Sequence, residues 1–105
     1  MDKPNLEYIK SMSGGDIGFE QKLINIIKTE FPVERQTYFD CIADKNFKDT
    51  AAIVHKIKHK ISILGLEKSY EVAAAYELKL LNEETDLKND FELILATITG
   101  YLQKI

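Results

Sequence analysis

The 105-residue chain carries 14 lysine and arginine residues against 17 aspartate and glutamate residues, a net charge of −3, and 45% of it is hydrophobic. That is enough apolar material for one domain over residues 1–105 with a single core, and Cys41, the lone cysteine, excludes both a disulfide framework and a cysteine zinc cage. No aromatic residues interleave a basic stripe, which argues against nucleic acid as a partner; apolar runs are short and the start MDKPNLEYIK is too polar for a secretory core, so no membrane contact and a cytoplasmic location are expected.

Two prolines and five glycines punctuate the chain sparsely, which predicts long helices with short joints. Asn5 to Met12 places Leu6, Ile9 and Met12 at helical spacing, enough for a short helix leaning on a larger one. Ser13-Gly14-Gly15-Asp16 breaks it. Ser13 or Asp16 can then cap a helix whose apolar residues are Phe19, Leu23, Ile26, Ile27 and Phe31. Pro32 has no amide proton and crowds the carbonyl four residues back, so a kink or a brief interruption is expected before the pattern resumes with Tyr38, Phe39 and Ile42. Asp44-Lys45-Asn46-Phe47 reads as a turn, with Asn46 and Asp49 as a capping pair for the helix of His55.

Lys48 to Leu66 is the stretch the rest of the chain is built around. At about 100° per residue it turns Ile53, Ile57, Ile61 and Leu64 to the core, with Val54 at the edge. Lys48, Ala51, Ala52, Lys58, His59 and Ser62 all fall within about 60° of His55, which puts His55 on a solvent-facing stripe. An imidazole there, flanked by Lys56, Lys58 and His59, is an accessible nucleophile in a cationic setting that suits a phosphoryl group. Ala51, Ala52, Lys56, His59 and Ser62 are the residues around it that can touch or tune a partner. Lys56 and Lys60, further round the helix, also read as solubilising, their stems lying along the core edge. Gly65 terminates the helix, because glycine takes the left-handed conformation without steric cost.

Glu67 to Asn82 forms the next helix, with Val72, Ala73, Tyr76 and Leu80 inward and the Ala73-Ala74-Ala75 run allowing close approach to the His55 helix. Residues 82–86 make the next joint, with Thr85 or Asp86 as cap. The last helix repeats Leu87, Phe91, Ile94, Ile98, Tyr101 and Ile105 in one stripe. Four long helices with one apolar face each are buried most economically in an antiparallel, up-down-up-down four-helix bundle, the short extra N-terminal helix covering one end. Cys41 and the tyrosines read as packing. A monomer is expected, since no apolar stripe is obviously left over.

His55 and His59 form an i, i+4 pair, the spacing at which two imidazoles hold one metal ion. That face offers only Ser62 and lysines as further ligands, so no metal is expected. Neither a phosphate-binding G-x-x-x-x-G-K-[ST] loop nor a kinase glycine loop occurs; the chain is expected not to be an enzyme with its own nucleotide site, and would receive a phosphoryl group ready-made.

The spacing around His55 resembles the signature of the histidine phosphotransfer (HPt) domains of bacterial and fungal phosphorelays. That signature is a His, an aliphatic residue two places on, Lys at three, usually Gly at four, an aliphatic residue at nine and Gly at ten. Those places here hold His55, Ile57, Lys58, His59, Leu64 and Gly65, so five of six match and His59 stands where glycine is usual. Ser13 to Asp16 followed by Phe19 is similar to the family's Gly-Gly-Asp entry to its second helix. Tyr76-Glu77 stands where the family often has an aliphatic-Glu pair, and Glu77 itself reads as a boundary residue.

The resemblance implies a phosphoryl carrier in a multistep two-component relay. His55 would be phosphorylated from a receiver-domain aspartate and would pass the group to another receiver, with Lys58 stabilising the phosphoryl oxygens. The expected partners are response-regulator receiver domains or a hybrid sensor histidine kinase. No cofactor is expected on this chain, the Mg²⁺ belonging to the receiver. An initiating Met1 and a helix running to Ile105 favour a free-standing domain. The alternative is a helical adaptor that binds a receiver without being phosphorylated, as would result if His59 blocked in-line attack.

Overall fold

Five helices succeed one another, with no strand, among the described residues, 2–105, of the computed structural model. They are α1 (Glu7–Ser13), α2 (Ile17–Ala43), α3 (Phe47–Ile63), α4 (Glu67–Leu81) and α5 (Lys88–Leu102). α1 stops at Gly14, which takes the left-handed conformation at φ 57°. Asp16 is the cap of α2: its carboxylate accepts the Phe19 amide at 3.1 Å.

α2 runs unbroken for 27 residues through Pro32, so the interruption expected there does not occur. Pro32 is exposed, and so is Lys28, the residue four back whose carbonyl loses its usual amide partner. The buried residues of α2 are Ile24, Ile27, Phe31 and Tyr38, while Phe19 and Ile26, expected in the core, are exposed. Ile24, three residues before Ile27, takes the inward place, and the apolar face is rotated accordingly.

α3 buries Ile53, Val54, Ile57 and Ile61, and Val54, expected at the edge, is fully inside. α4 turns Ala73, Tyr76 and Leu80 inward, as expected, and its most extensive packing is on α3. α3 lies also against α2, α1 leans on α2, and α5 packs on α4 and α2. α5 begins later than expected and without a side-chain cap. Asp86, one of the two expected caps, is engaged by Lys79 of α4 at 3.2 Å instead. The buried residues of α5 are Phe91, Ile94, Leu95, Ile98 and Leu102, whereas Ile105, expected on the stripe, lies beyond the helix and is exposed.

The molecule measures 44 × 23 × 19 Å, and 27 residues of helix span about 40 Å. α2 therefore runs its whole length. None of the helices is long and apolar enough to cross a membrane.

Candidate functional site

The helix that carries the site is fixed at both ends by local chemistry. At its start Asn46 accepts the Asp49 amide at 3.2 Å and donates from its own amide to the Asp49 carboxylate at 2.7 Å. At its end Gly65 sits at φ 76°, and the Leu66 amide donates back to the Ile61 carbonyl at 3.2 Å. Asn5 closes over this turn: its amide donates to the Leu64 carbonyl at 2.9 Å, and its side chain occupies the space a Cβ on Gly65 would need.

Between these ends His55 is on the outside, its side chain 52% exposed. The ring is held from one side. Glu77 of α4 brings its two carboxylate oxygens to 3.1 and 3.3 Å from His55 Nδ1. A carboxylate can only accept, so Nδ1 carries the proton, and in the neutral ring the lone pair is then on Nε2. The same carboxylate takes Lys58 Nζ at 3.0 Å. Lys58 is only 14% exposed, lying against α4 with its ammonium 5.6 Å from the centre of the Tyr70 ring. His59 stands edge-on to His55, ring centres 5.0 Å apart at 90°.

Ala52, His59 and Ser62 are exposed on the same side as His55, as expected, and Lys56, further round the helix, is exposed too. Ala51 is not. It is buried, because it lies on the side of α3 that packs against α4, about two turns before Lys58. Lys60 departs further from expectation: instead of solubilising the surface it is buried, bonded to Glu30 at 2.9 Å and Glu34 at 3.1 Å, both on α2. Its long stem reaches over the core edge to two carboxylates that the sequence places far away. Glu34 Oε1, inside this contact, has no hydrogen-bond partner.

The residue the sequence undervalued is Glu77. Its position beside Tyr76 was visible, but its role is set by the packing of α4 on α3, which brings it across 22 residues of chain to His55. Among the described residues no group of three or more His, Cys, Asp and Glu side chains could hold a metal ion. Cys41 lines a shallow groove of about 240 Å³ with Ala52 and Lys56. Burial, and then the carboxylates of Asp49, Asp40 and Asp44, push its thiol above the ordinary value, which disfavours the reactive thiolate. His55 and His59 are the exposed imidazoles of this face, and of the two it is His55 that a carboxylate of α4 holds.

No family model matches the chain, and neither a curated protein nor a solved structure does.

Proposed function

We propose that this chain is a phosphoryl carrier of the histidine phosphotransfer type, taking a phosphoryl group from a receiver-domain aspartate onto His55 and passing it to another receiver. In this reading α2 to α5 form an up-down-up-down four-helix bundle with α1 at one end, working in the cytoplasm. The observation that carries it is the exposed His55 ring, held at Nδ1 by Glu77 so that Nε2 is the nucleophilic nitrogen.

The transfer balances without help from a nucleotide. The Nε2 lone pair forms the N–P bond while the P–O bond to the aspartyl carboxylate breaks, its electron pair leaving on that carboxylate. The Nδ1 proton stays between ring and Glu77, and the positive charge of the phosphorylated ring is offset by the Glu77 carboxylate. Retaining that charge keeps the ring a good leaving group. Onward transfer is the reverse: a receiver carboxylate attacks phosphorus and the N–P electron pair returns to Nε2. Lys58, 3.0 Å from Glu77, is one turn from the reacting ring and can turn part of its charge to the phosphoryl oxygens. By the resemblance, the receiver holds the Mg²⁺ and the remaining catalytic surroundings, so this chain's contribution is positioning plus electrostatics. The partners are receiver domains, free or in a hybrid sensor kinase.

One observation favours a second reading. The His59 ring stands edge-on to His55 where the HPt signature has glycine; were it to bar in-line attack, the protein would be an adaptor that binds a receiver unphosphorylated. Both are tested by transfer from a phosphorylated receiver domain of the same organism, with the label followed under alkaline conditions because phosphohistidine is acid-labile. Wild type and His59→Ala are expected to take up label and His55→Ala none. Binding of a receiver with no label on any variant would replace the carrier by the adaptor.

A further inference from the structure

The outer side of α2 carries a stripe that the fold leaves uncovered. Phe19, Ile26 and Val33 recur every seven residues and are 42%, 41% and 66% exposed. Seven residues bring a helix back to within about 20° of the same direction, so the three form one row about 21 Å long. The row adjoins an open concavity of about 500 Å³ lined by α2 alone, Lys22, Ile26 and Glu30 among its residues. Three apolar side chains in a row on the longest helix are more than scattered surface hydrophobics.

The row has a symmetry of its own. About Ile26, Phe19 and Val33 lie seven residues either side, and Lys22 and Glu30 four residues either side, each about 40° off the row. An antiparallel copy of the same helix, related by a two-fold axis at Ile26, therefore sets Ile26 against Ile26. It sets Phe19 against Val33 of the second copy and Lys22 at the height of Glu30 of the second copy, twice over. A self-complementary row of this kind is what an isologous interface requires. A parallel copy in register would instead set Lys22 against Lys22 and Glu30 against Glu30, which like-charge repulsion opposes.

We propose that a second copy of this chain pairs with it through an antiparallel α2–α2 contact centred on Ile26, sealed by reciprocal Lys22–Glu30 ion pairs. The inference stands independently of the phosphotransfer reading. Glu30 can serve both contacts, because its side chain is 55% exposed and Lys60 keeps Glu34 as a second anchor. One helix pair buries roughly 1,000 Å² or less in total, the low end for specific contacts, so the dimer is weak and forms at high concentration.

Sedimentation equilibrium of the full chain from about 10 μM to about 1 mM reads the association directly. Wild type is expected to dimerise within that range and Ile26→Asp to remain a monomer. Lys22→Glu and Glu30→Lys, each checked for helicity by circular dichroism, are each expected to associate at least tenfold more weakly than wild type. Mixed in equal amounts they should associate again, because each then meets the opposite charge at both sites. Wild type that stays monomeric throughout overturns the proposal. Unchanged association of Ile26→Asp overturns the seam. Dimers of wild type with no restoration in the mixture overturn the antiparallel register; and should Glu30→Lys not fold, undiminished association of Lys22→Glu does so alone.

Discussion

One carboxylate, that of Glu77, holds two cationic or cation-forming groups of α3, the His55 ring and the Lys58 ammonium. Its value to His55 is geometric: a ring whose Nδ1 is tethered presents Nε2 in one direction and in one tautomer. Glu77→Ala is accordingly expected to slow label uptake from a phosphorylated receiver by about tenfold to a hundredfold while His55 remains the labelled residue. Glu77→Gln, which keeps an acceptor oxygen but not the charge, should fall between. An unchanged initial rate in Glu77→Ala, with helicity intact, would show that the contact does not position the ring. At this scale helical periodicity already turned His55 to solvent, since Ile53, Ile57 and Ile61 claim the opposite side. It could not tell that Lys58 is tied down or that Lys60 is buried. A lysine stem is long enough to lie along the surface or to reach inward, and only the neighbouring helices decide which.

The elements begin and end largely where short-range chemistry dictates, the starts of α4 and α5 excepted. Asn46 with Asp49 and Asp16 with the Phe19 amide are caps legible in the sequence, and both are made. Gly65 is legible for its left-handed conformation, but the Asn5 side chain packed beside it is not. A Cβ at residue 65 would come within 2.6 Å of Asn5 Nδ2 at a backbone φ of 76°. Gly65→Ala is therefore expected to cost about 1–2 kcal/mol from the left-handed backbone alone. The displaced Asn5 strap adds to that, and the loss is read as a lowered midpoint in urea. A midpoint equal to wild type would mean that the turn relaxes freely. α4 has no local cap and takes Asp2 in its place, and α5 has none at all. Asp86 has the chemistry of a cap, yet Lys79 claims its carboxylate and the helix starts uncapped at Lys88. Pro32 predicts a kink or an interruption, and the helix is not interrupted there, with Ile27, Phe31 and Tyr38 buried on either side of it.

Across the whole molecule, three polar contacts join residues that are distant in sequence. The Tyr76 hydroxyl donates to the Tyr38 hydroxyl at 2.8 Å, and Tyr38 donates to Glu92 at 2.9 Å, which links α4, α2 and α5 through the core. Lys60 joins α3 to α2. Asp2 caps α4 from a distance, accepting the Lys68 amide at 2.8 Å and the Ser69 amide at 3.2 Å. The first two carry a pH signature. Burial, then the hydrogen bonds to Tyr76 and Glu92, raise Tyr38 far above its ordinary 10.0, and burial raises Tyr76. Burial works against the charge on Lys60, but its bonds to Glu30 and Glu34 outweigh it and lift the group above 10.5.

All three groups hold their protons more tightly folded than unfolded. Their contribution is thus complete below the unfolded values near pH 10 and is lost as pH rises through and beyond them. The melting temperature should change little between about pH 7 and 9 and fall steeply above about pH 10. Tyr38→Phe is expected to lower stability at neutral pH yet flatten the alkaline slope, and an alkaline slope as steep as wild type would remove Tyr38 as its source.

Short-range pattern alone carries the five helices, the caps at Asp16 and Asn46, and an exposed His55 above a buried aliphatic face. Those come from the 3.6-residue period and from local hydrogen bonding, which need no knowledge of the fold. Which side chains meet between helices is set by how the helices pack on one another. His55 with Glu77, Lys60 with Glu34 and Tyr38 with Glu92 are 22, 26 and 54 residues apart. Such pairs depend on the axial register and rotation of one helix on another. A period fixes a face to within a residue or two, whereas an ion pair requires its atoms placed to within about an ångström, and that is set by how the cores interlock.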